Sequence, residues 1–483
     1  DGFSKIGSYT GNGSSDGPFV YTGFKPAWII VKNIDNSSNT HWGIFDNARD
    51  TNNPNTARVL ANLSNVESTT DSNWSFNFYS NGFKPTASSL QANSNGDNYI
   101  YMAFAEDPVK YSNAVATLGD GNEFIQDGNY PEDNFKTVLW TGTGNTNYIP
   151  VGHNPDLVWI KSRSVQDSHQ IYDTIRGNQS GIFSNLDNNE SIYTDGRFAF
   201  SNNGFTVDTT NSGYNQNNAT YVAWTWKAAG SDNTYNILEN GTVTSDASAS
   251  TLGLDTGTIT PIKVSANRDN GFSMMNFTGT GTAGDTVPHG LSKPPEFVIA
   301  KQYSGADENW FTWHKDYGLS GGEYQYIKLN STDTPSTFNN QAVWNTVAPS
   351  SSLFTLNGGA SPNRSGNEHI YYSWHSVPGY SKIGSYVGNG STNGPTIYLG
   401  FEAAFIMTKP TTVSDNWSIW DNKRDPGNPN DQILVPNTNN VETSNNFGRY
   451  DININKDNFQ ILRTDGQING NNQTYIYMAF AHR

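Results

Sequence analysis

The chain repeats itself, and this limits the fold more than any other feature of the sequence. Residues 3–14 read FSKIGSYTGNGS and residues 380–391 read YSKIGSYVGNGS, ten of twelve positions identical. WGIFDNARDTNNPN at 42–55 returns as WSIWDNKRDPGNPN at 417–430, with nine of fourteen identical. YIYMAFA at 99–105 recurs unchanged at 475–481. The three blocks keep their order, and their offsets (377, 375 and 376) differ by only two residues. Composition bias does not produce such a pattern.

Two weaker copies lie between. FKTVLWTGTG (135–144) and FSMMNFTGTG (272–281) each open on an aromatic strand and Thr-Gly-Thr-Gly. Each continues through a His-containing turn to an apolar strand and Lys, at Lys161 and Lys301. TYVAWTWKA (220–228) and HIYYSWHSV (369–377) then match the closing TYIYMAFAH (474–482). The order is B–A–A–B: repeat 1 at 1–106, repeat 2 at 131–230, repeat 3 at 270–378 and repeat 4 at 379–483. Segments 107–130 and 231–269 read as linkers, the second with a short strand near 257–264.

Within a repeat the signals are those of β structure. Asn-Gly pairs at 12–13, 81–82, 203–204, 270–271, 357–358 and 389–390 suit the positive φ of hairpin turns. Trp28-Ile29-Ile30-Val31, Leu157-Val158-Trp159-Ile160 and Phe297-Val298-Ile299 are short apolar runs bounded by polar residues and Pro, as in buried strands. In the closing strand Ile100, Met102 and Phe104 alternate with Tyr99, Tyr101 and Ala103. Val222, Trp224 and Trp226 hold the same places in repeat 2, Ile370, Tyr372 and Trp374 in repeat 3, and Ile476, Met478 and Phe480 in repeat 4. Both faces are apolar, which predicts a central strand between two layers. No amphipathic helix of useful length stands out. The fold class expected is all-β, a tandem array of four antiparallel β-sandwiches of jelly-roll or lectin-like type. Pairing of A and B repeats into larger sandwiches fits the pattern as well.

Composition narrows the function classes. With net charge −16 and no Lys/Arg run, the chain lacks the basic patch that nucleic acid binding needs. It has no cysteine, so disulfides and thiolate chemistry are excluded. No apolar stretch approaches the roughly 18 residues of a membrane span. The chain begins Asp1-Gly2-Phe3, which reads as a mature product or a fragment of a longer protein.

The best site candidate is the Asp-x-x-Arg-Asp block, with Asp46, Arg49 and Asp50 in repeat 1 and Asp421, Arg424 and Asp425 in repeat 4. An Arg fork between carboxylates makes bidentate bonds and suits a binding site; the competing and favoured reading is an ion pair stapling a strand end to a loop. Repeat 2 keeps Asp173 and Arg176, while repeat 3 has His314-Lys315-Asp316 and no Arg. That argues against one shared chemistry. Asp50, Asn52, Asn53 and Asn55, and Asp425, Asn428 and Asn430, are oxygen donors in short loops, as calcium takes them, against a plain Pro/Asn turn. Asp451–Asp457 alternates like a strand and lacks the Gly of a helical calcium loop. No cofactor is expected; calcium is the single candidate. Glu67 and Glu442 recur in Asn-Val-Glu and read as solvated loop residues rather than a glycosidase pair. Trp74, Trp310, Trp313 and Trp344 lie near polar loops and read as core, with stacking on sugar as the competing role. No catalytic motif appears.

Taken together, the SKIGSYVGNG, WSIWDNKRD and YIYMAFA runs, with GFSMMNFTGTG and its later His289-Gly290-Leu291, resemble an uncharacterised tandem-repeat family. That family occurs in virion structural and tail-fibre-like proteins of bacteriophages, many of them marine. The resemblance covers nearly the whole chain outside the linkers. It implies a lectin-like β-sandwich on the virion surface, in an extracellular setting, and no catalytic residues. It also implies an A repeat upstream of repeat 1. The function expected is a non-enzymatic virion structural protein (tail fibre, appendage or capsid decoration) that attaches to a host-surface glycan. Its partners would be other virion proteins, a host glycan or receptor, and further copies of itself, three if it is a fibre. Nucleic acid and membrane insertion are not expected. The alternatives are a secreted depolymerase and a bacterial cell-surface carbohydrate-binding array.

Overall fold

The computed structural model describes residues 4–37, 40–70, 73–79, 81–105, 130–317, 319–320, 323–336, 344–358, 363–443 and 449–481. The fold is all-β, built from several antiparallel sheets, with one short α-helix at Gly466–Asn469 among the described residues. The chain divides into two compact units, Asp1–Glu123 and Phe124–Arg483. Apart from Tyr130, the 107–130 linker lies outside the described residues.

Unit 1 is repeat 1. A five-stranded sheet runs in the order Ser4–Thr10, Asn98–Ala105, Pro26–Asn33, Gly43–Asp46, Val59–Leu60. A three-stranded sheet of Val20–Tyr21, Gly82–Pro85 and Phe76–Tyr79 faces it. Tyr9, Ile29, Val31, Phe45, Trp74, Phe76, Phe83, Tyr99 and Tyr101 fill the space between. The closing strand is central, as its two apolar faces predict, because it pairs with strands on both sides.

In unit 2 the three remaining closing strands are central in the same way. Thr220–Trp226 lies between Phe135–Thr141 and Leu157–Ser162. Glu368–Trp374 lies between Phe272–Thr278 and Phe297–Gln302. Thr474–Ala481 lies between Ser381–Val387 and Ala403–Pro410. One face of each strand packs on a small sheet of its own repeat. The other face joins a single core shared by repeats 2, 3 and 4. Trp226, Trp374 and Phe480, equivalent in the three strands, meet there: the Trp226 ring lies 6.0 Å from Trp374 and 5.6 Å from Phe480. Phe135 stacks on Phe480 at 4.9 Å, and Trp224 meets Phe405 edge-on at 5.7 Å.

The junctions around this core close in a cycle. Strand register puts Lys161, Lys301 and Lys409 at one position, each buried in its sheet. Lys161 donates to the Asn439 carbonyl of repeat 4 (3.4 Å), Lys409 to Thr332 of repeat 3 (3.3 Å), and Lys301 to Asp187 of repeat 2 (2.7 Å). The residue opposite each lysine repeats the cycle. His169 Nε2 donates to the Val435 carbonyl, Trp417 Nε1 to Lys328, and Trp310 Nε1 to Phe183, at 3.1, 3.2 and 2.8 Å. His169 can donate there because its Nδ1 accepts from Trp159 Nε1 at 2.9 Å, which fixes the tautomer.

The 231–269 segment, expected to be a linker, is built into the fold. Tyr235–Glu239, Thr242–Asp246 and Lys263–Asn267 extend the large sheet of repeat 3 to eight strands. Asn240 and Gly241 form a two-residue hairpin turn with φ of 51° and 71°. Positive φ at both positions is what makes Asn-Gly the favoured pair there. Tyr235, Ile237 and Val264 pack into the second core of that repeat.

A shared core makes local damage global. Trp226→Ala is expected to cost unit 2 about 3–5 kcal/mol, read by chemical denaturation. Burial holds the imidazoles of His153 and His314 down at about 3 and those of His289 and His369 at about 4. Their folded values lie below the ordinary 6.5, so their contribution is complete above pH 6.5 and is lost as pH falls toward 4. At pH 5 each is expected to cost roughly 2 kcal/mol. Buried Asp156, pushed up to about 6, works in the opposite sense and offsets part of the loss. Denaturation midpoints of unit 2 are therefore expected to fall between pH 7 and pH 5.

Candidate functional site

The Asp-x-x-Arg block occupies the same place in repeats 1, 2 and 4, where a strand ends in a tight turn. Asp46, Asp173 and Asp421 each accept the backbone N–H of the residue three on, at 2.8, 2.8 and 2.9 Å. Each also accepts from that arginine's Nε. The guanidinium reaches back to the carbonyl of Ile44, Ile171 or Ile419. A carboxylate then closes the far side: Glu67 on Arg49 (2.9 Å), Glu190 on Arg176 (3.5 Å) and Glu442 on Arg424 (2.9 Å). Glu67 and Glu442, read from sequence as solvated loop residues, are thus the third members of these clusters. Their distance in sequence from the arginine hid the pairing; the signal was their recurrence at a matching offset.

The clusters of unit 2 also join neighbouring repeats. Asp421 Oδ2 accepts Trp224 Nε1 of repeat 2 at 3.0 Å, and Asp173 Oδ2 accepts Tyr372 OH of repeat 3 at 2.6 Å. Glu442 takes a bidentate bond from Arg163 while holding Arg424. In repeat 3, His314 replaces the Asp: its Nδ1 accepts the Asp316 N–H at 3.1 Å, and Tyr317 stands at the arginine's place, bonded to Thr312.

The second acids of the block serve their own loops. Asp50 accepts the backbone N–H groups of Asn52, Thr56 and Ala57. Burial works against its charge, but these donors outweigh it and hold the carboxyl below its ordinary value. Asp425 accepts from Asp431 N–H at 2.7 Å. Asn53 pairs with the backbone of Phe78, and Asn428 with that of Ile454. Asn55 and Asn430 donate to the carbonyls of Asp46 and Asp50, and of Asp421 and Asp425. Among the described residues no group of three His, Asp or Glu is placed to hold a metal ion. Asp451 carries a bond from Arg463 and immediately precedes the strand Ile452–Ile454. Trp74, Trp310, Trp313 and Trp344 are all buried.

The exposed rings lie elsewhere, on the outer face of the small sheet in unit 1. Tyr21, Gly82 and Tyr79 sit side by side across three strands. Gly82 has no side chain, and the Phe19 ring occupies that space; a Cβ on Gly82 would come within 2.7 Å of it. Phe19 also meets Tyr79 edge-on at 5.8 Å. Phe19, Tyr21 and Tyr79 remain 48%, 58% and 39% exposed, forming one row of rings. Asn77, bonded to the Tyr79 hydroxyl, and Lys84, paired with Asp16, border it on the same face. Lys5 lies 5.2 Å over the Tyr21 ring. Such a row offers flat apolar faces beside hydrogen-bonding edges, which suits a ring-shaped ligand with polar rims. Repeat 2 keeps one ring over the matching Gly204, namely Tyr148; repeat 4 keeps Tyr398. The row does not show in the sequence as a motif, although the alternation Phe76-Asn77-Phe78-Tyr79 ahead of Asn81-Gly82 puts an aromatic on each face.

Residues 1–108 and 130–483 match the model of a family described as a domain of unknown function, DUF7483, and the chain belongs to that family. Comparison with curated proteins and with solved structures gives no match.

The clusters differ in burial, and the cost of breaking them should follow. Arg424 is fully buried and the Glu442 side chain 12% exposed, against 29% and 41% for Arg49 and Glu67. Glu442→Gln is expected to destabilise unit 2 by about 3–5 kcal/mol. Glu67→Gln should cost unit 1 less than about 1 kcal/mol. Paired denaturation curves check both.

Proposed function

We propose that the chain is a non-enzymatic bacteriophage virion protein, a tail fibre, appendage or capsid decoration, that attaches to a glycan on the host surface. It is a tandem array of four β-sandwich repeats of lectin-like type, displayed on the particle. The observation that carries attachment is the row Tyr21–Phe19–Tyr79, held across one sheet by the gap at Gly82. Three part-exposed rings on one face make the kind of aromatic surface on which a ligand stacks. Sugar rings present apolar C–H faces and hydroxyl rims, matching the rings and the Asn77 and Lys84 edges. The virion setting rests on the resemblance of the repeated motifs to phage structural proteins. The carboxylates that a depolymerase would need are, in the repeated block, engaged by arginine and backbone N–H groups, which favours binding over hydrolysis.

Screening the full chain against bacterial surface polysaccharides, followed by titration calorimetry, tests the attachment. Tyr21→Ala and Phe19→Ala are each expected to weaken binding about tenfold or more, and together to abolish it, with the circular dichroism spectrum unchanged. Binding that survives the double substitution would remove the row from the account. Antibody labelling of native particles tests the setting: label on a projection supports a virion protein, and label confined to medium or cells overturns it.

A further inference from the structure

The face that repeats 2, 3 and 4 bury against one another is open in unit 1. Register identifies its residues one by one. Ile6, paired to Met102, stands where Thr137, Met274 and Ile383 stand in the other repeats. Those three are buried; Ile6 is 73% exposed. Trp28, Ile30, Ile100 and Met102 are partly exposed, whereas Leu157, Trp159, Val222 and Trp224 at the same positions are buried.

The junction positions are present too. In unit 2 the buried lysine donates to a neighbour's carbonyl four residues beyond the one that takes the indole or imidazole N–H: Asn439 after Val435, Asp187 after Phe183, Thr332 after Lys328. Three residues further on, the backbone N–H of Glu442 or Glu190 donates to Arg163 or Tyr303, two residues past the lysine. In unit 1 the corresponding donors are Lys32, Trp42 and Glu67, and the corresponding acceptors are Ser64, Leu60 and Ile34. Glu67 already holds Arg49, as Glu442 holds Arg424. The acceptor Ile34 is 53% exposed, and Leu63 and Val66, beside Ser64 in sequence, are 42% and 88% exposed.

A surface of this kind has a defined occupant. Each repeat offers a donor edge and an acceptor edge, and in unit 2 the cycle closes after three. Such a head-to-tail contact makes a closed ring rather than a filament. We infer that unit 1 forms a homotrimer, in which three copies of this chain bury Ile6, Trp28, Ile30 and Met102 in a common core. In that ring Trp42 Nε1 of one copy donates to the Leu60 carbonyl of the next, and Lys32, which in unit 1 donates to Asn33 and Thr40, gives up a Thr40 bond for the Ser64 carbonyl. The row of exposed rings lies on the opposite face of unit 1, so each copy keeps its row free. The inference rests on the repeat geometry and not on the glycan-binding reading.

Sedimentation equilibrium of the full chain tests it. The expected species is three times the 53.0 kDa chain mass at ~10 µM. Ile6→Lys and Val66→Lys, both at exposed positions, should give folded monomers by circular dichroism. Trp42→Phe keeps the ring and removes the N–H, and should raise the trimer dissociation constant about tenfold. A wild-type chain that sediments as a monomer or a dimer overturns the inference. So does a trimer indifferent to all three substitutions. Loss of glycan binding in Tyr21→Ala with the trimer intact would mark the two readings as separate.

Discussion

The meeting of Trp226, Trp374 and Phe480 is the contact on which the rest of unit 2 depends. A sandwich repeat of about 100 residues has one core between its sheets and an outer sheet face left over. Here that outer face is aromatic, and burying such rings stabilises more than any polar bond at the margin can. Three repeats each hide the surplus face of the other two. The polar network around them (lysine to carbonyl, indole to carbonyl, Asp to Trp or Tyr) then fixes which edge meets which. The donors named here each have a defined acceptor, so the arrangement is specified as well as stable.

The Asp-x-x-Arg clusters show how one local device acquires two uses. In unit 1 Asp46 and Arg49 tie a turn to the preceding strand and to the loop of Glu67. In unit 2 the same carboxylate position also takes the Trp224 or Tyr372 donor from a neighbour. Where repeat 3 has His314, the imidazole instead faces the backbone of Tyr477 in repeat 4.

Much of this was legible in the sequence, and the parts that were not have physical reasons. The four repeats, their all-β character and the central position of the closing strand follow from repeated motifs and from apolar residues on both strand faces. That same two-faced pattern could not tell whether the second face met a neighbouring repeat or solvent, because Ile100, Met102 and Phe104 look like Ile476, Met478 and Phe480. The 231–269 segment read as a linker because its polar, low-complexity stretch outweighed Tyr235, Ile237 and Val264, which find a core only against Met275, Phe277 and other residues of repeat 3. Glu442 could not be joined to Arg163 from spacing, since 279 residues separate them. The rings Phe19, Tyr21 and Tyr79 escaped notice because the strand that carries Tyr21, beside Phe19, is far in sequence from the hairpin that carries Tyr79 and Gly82.

The central claim is that repeats 2 to 4 share one core and therefore one stability. Hydrogen exchange of the full chain, followed by mass spectrometry across a denaturant series, measures this most directly. Peptides covering 220–226, 368–374 and 474–481 should become exchangeable together, at one denaturant concentration and in one concerted step. Three separate steps would mean three independent sandwiches and would contradict the account.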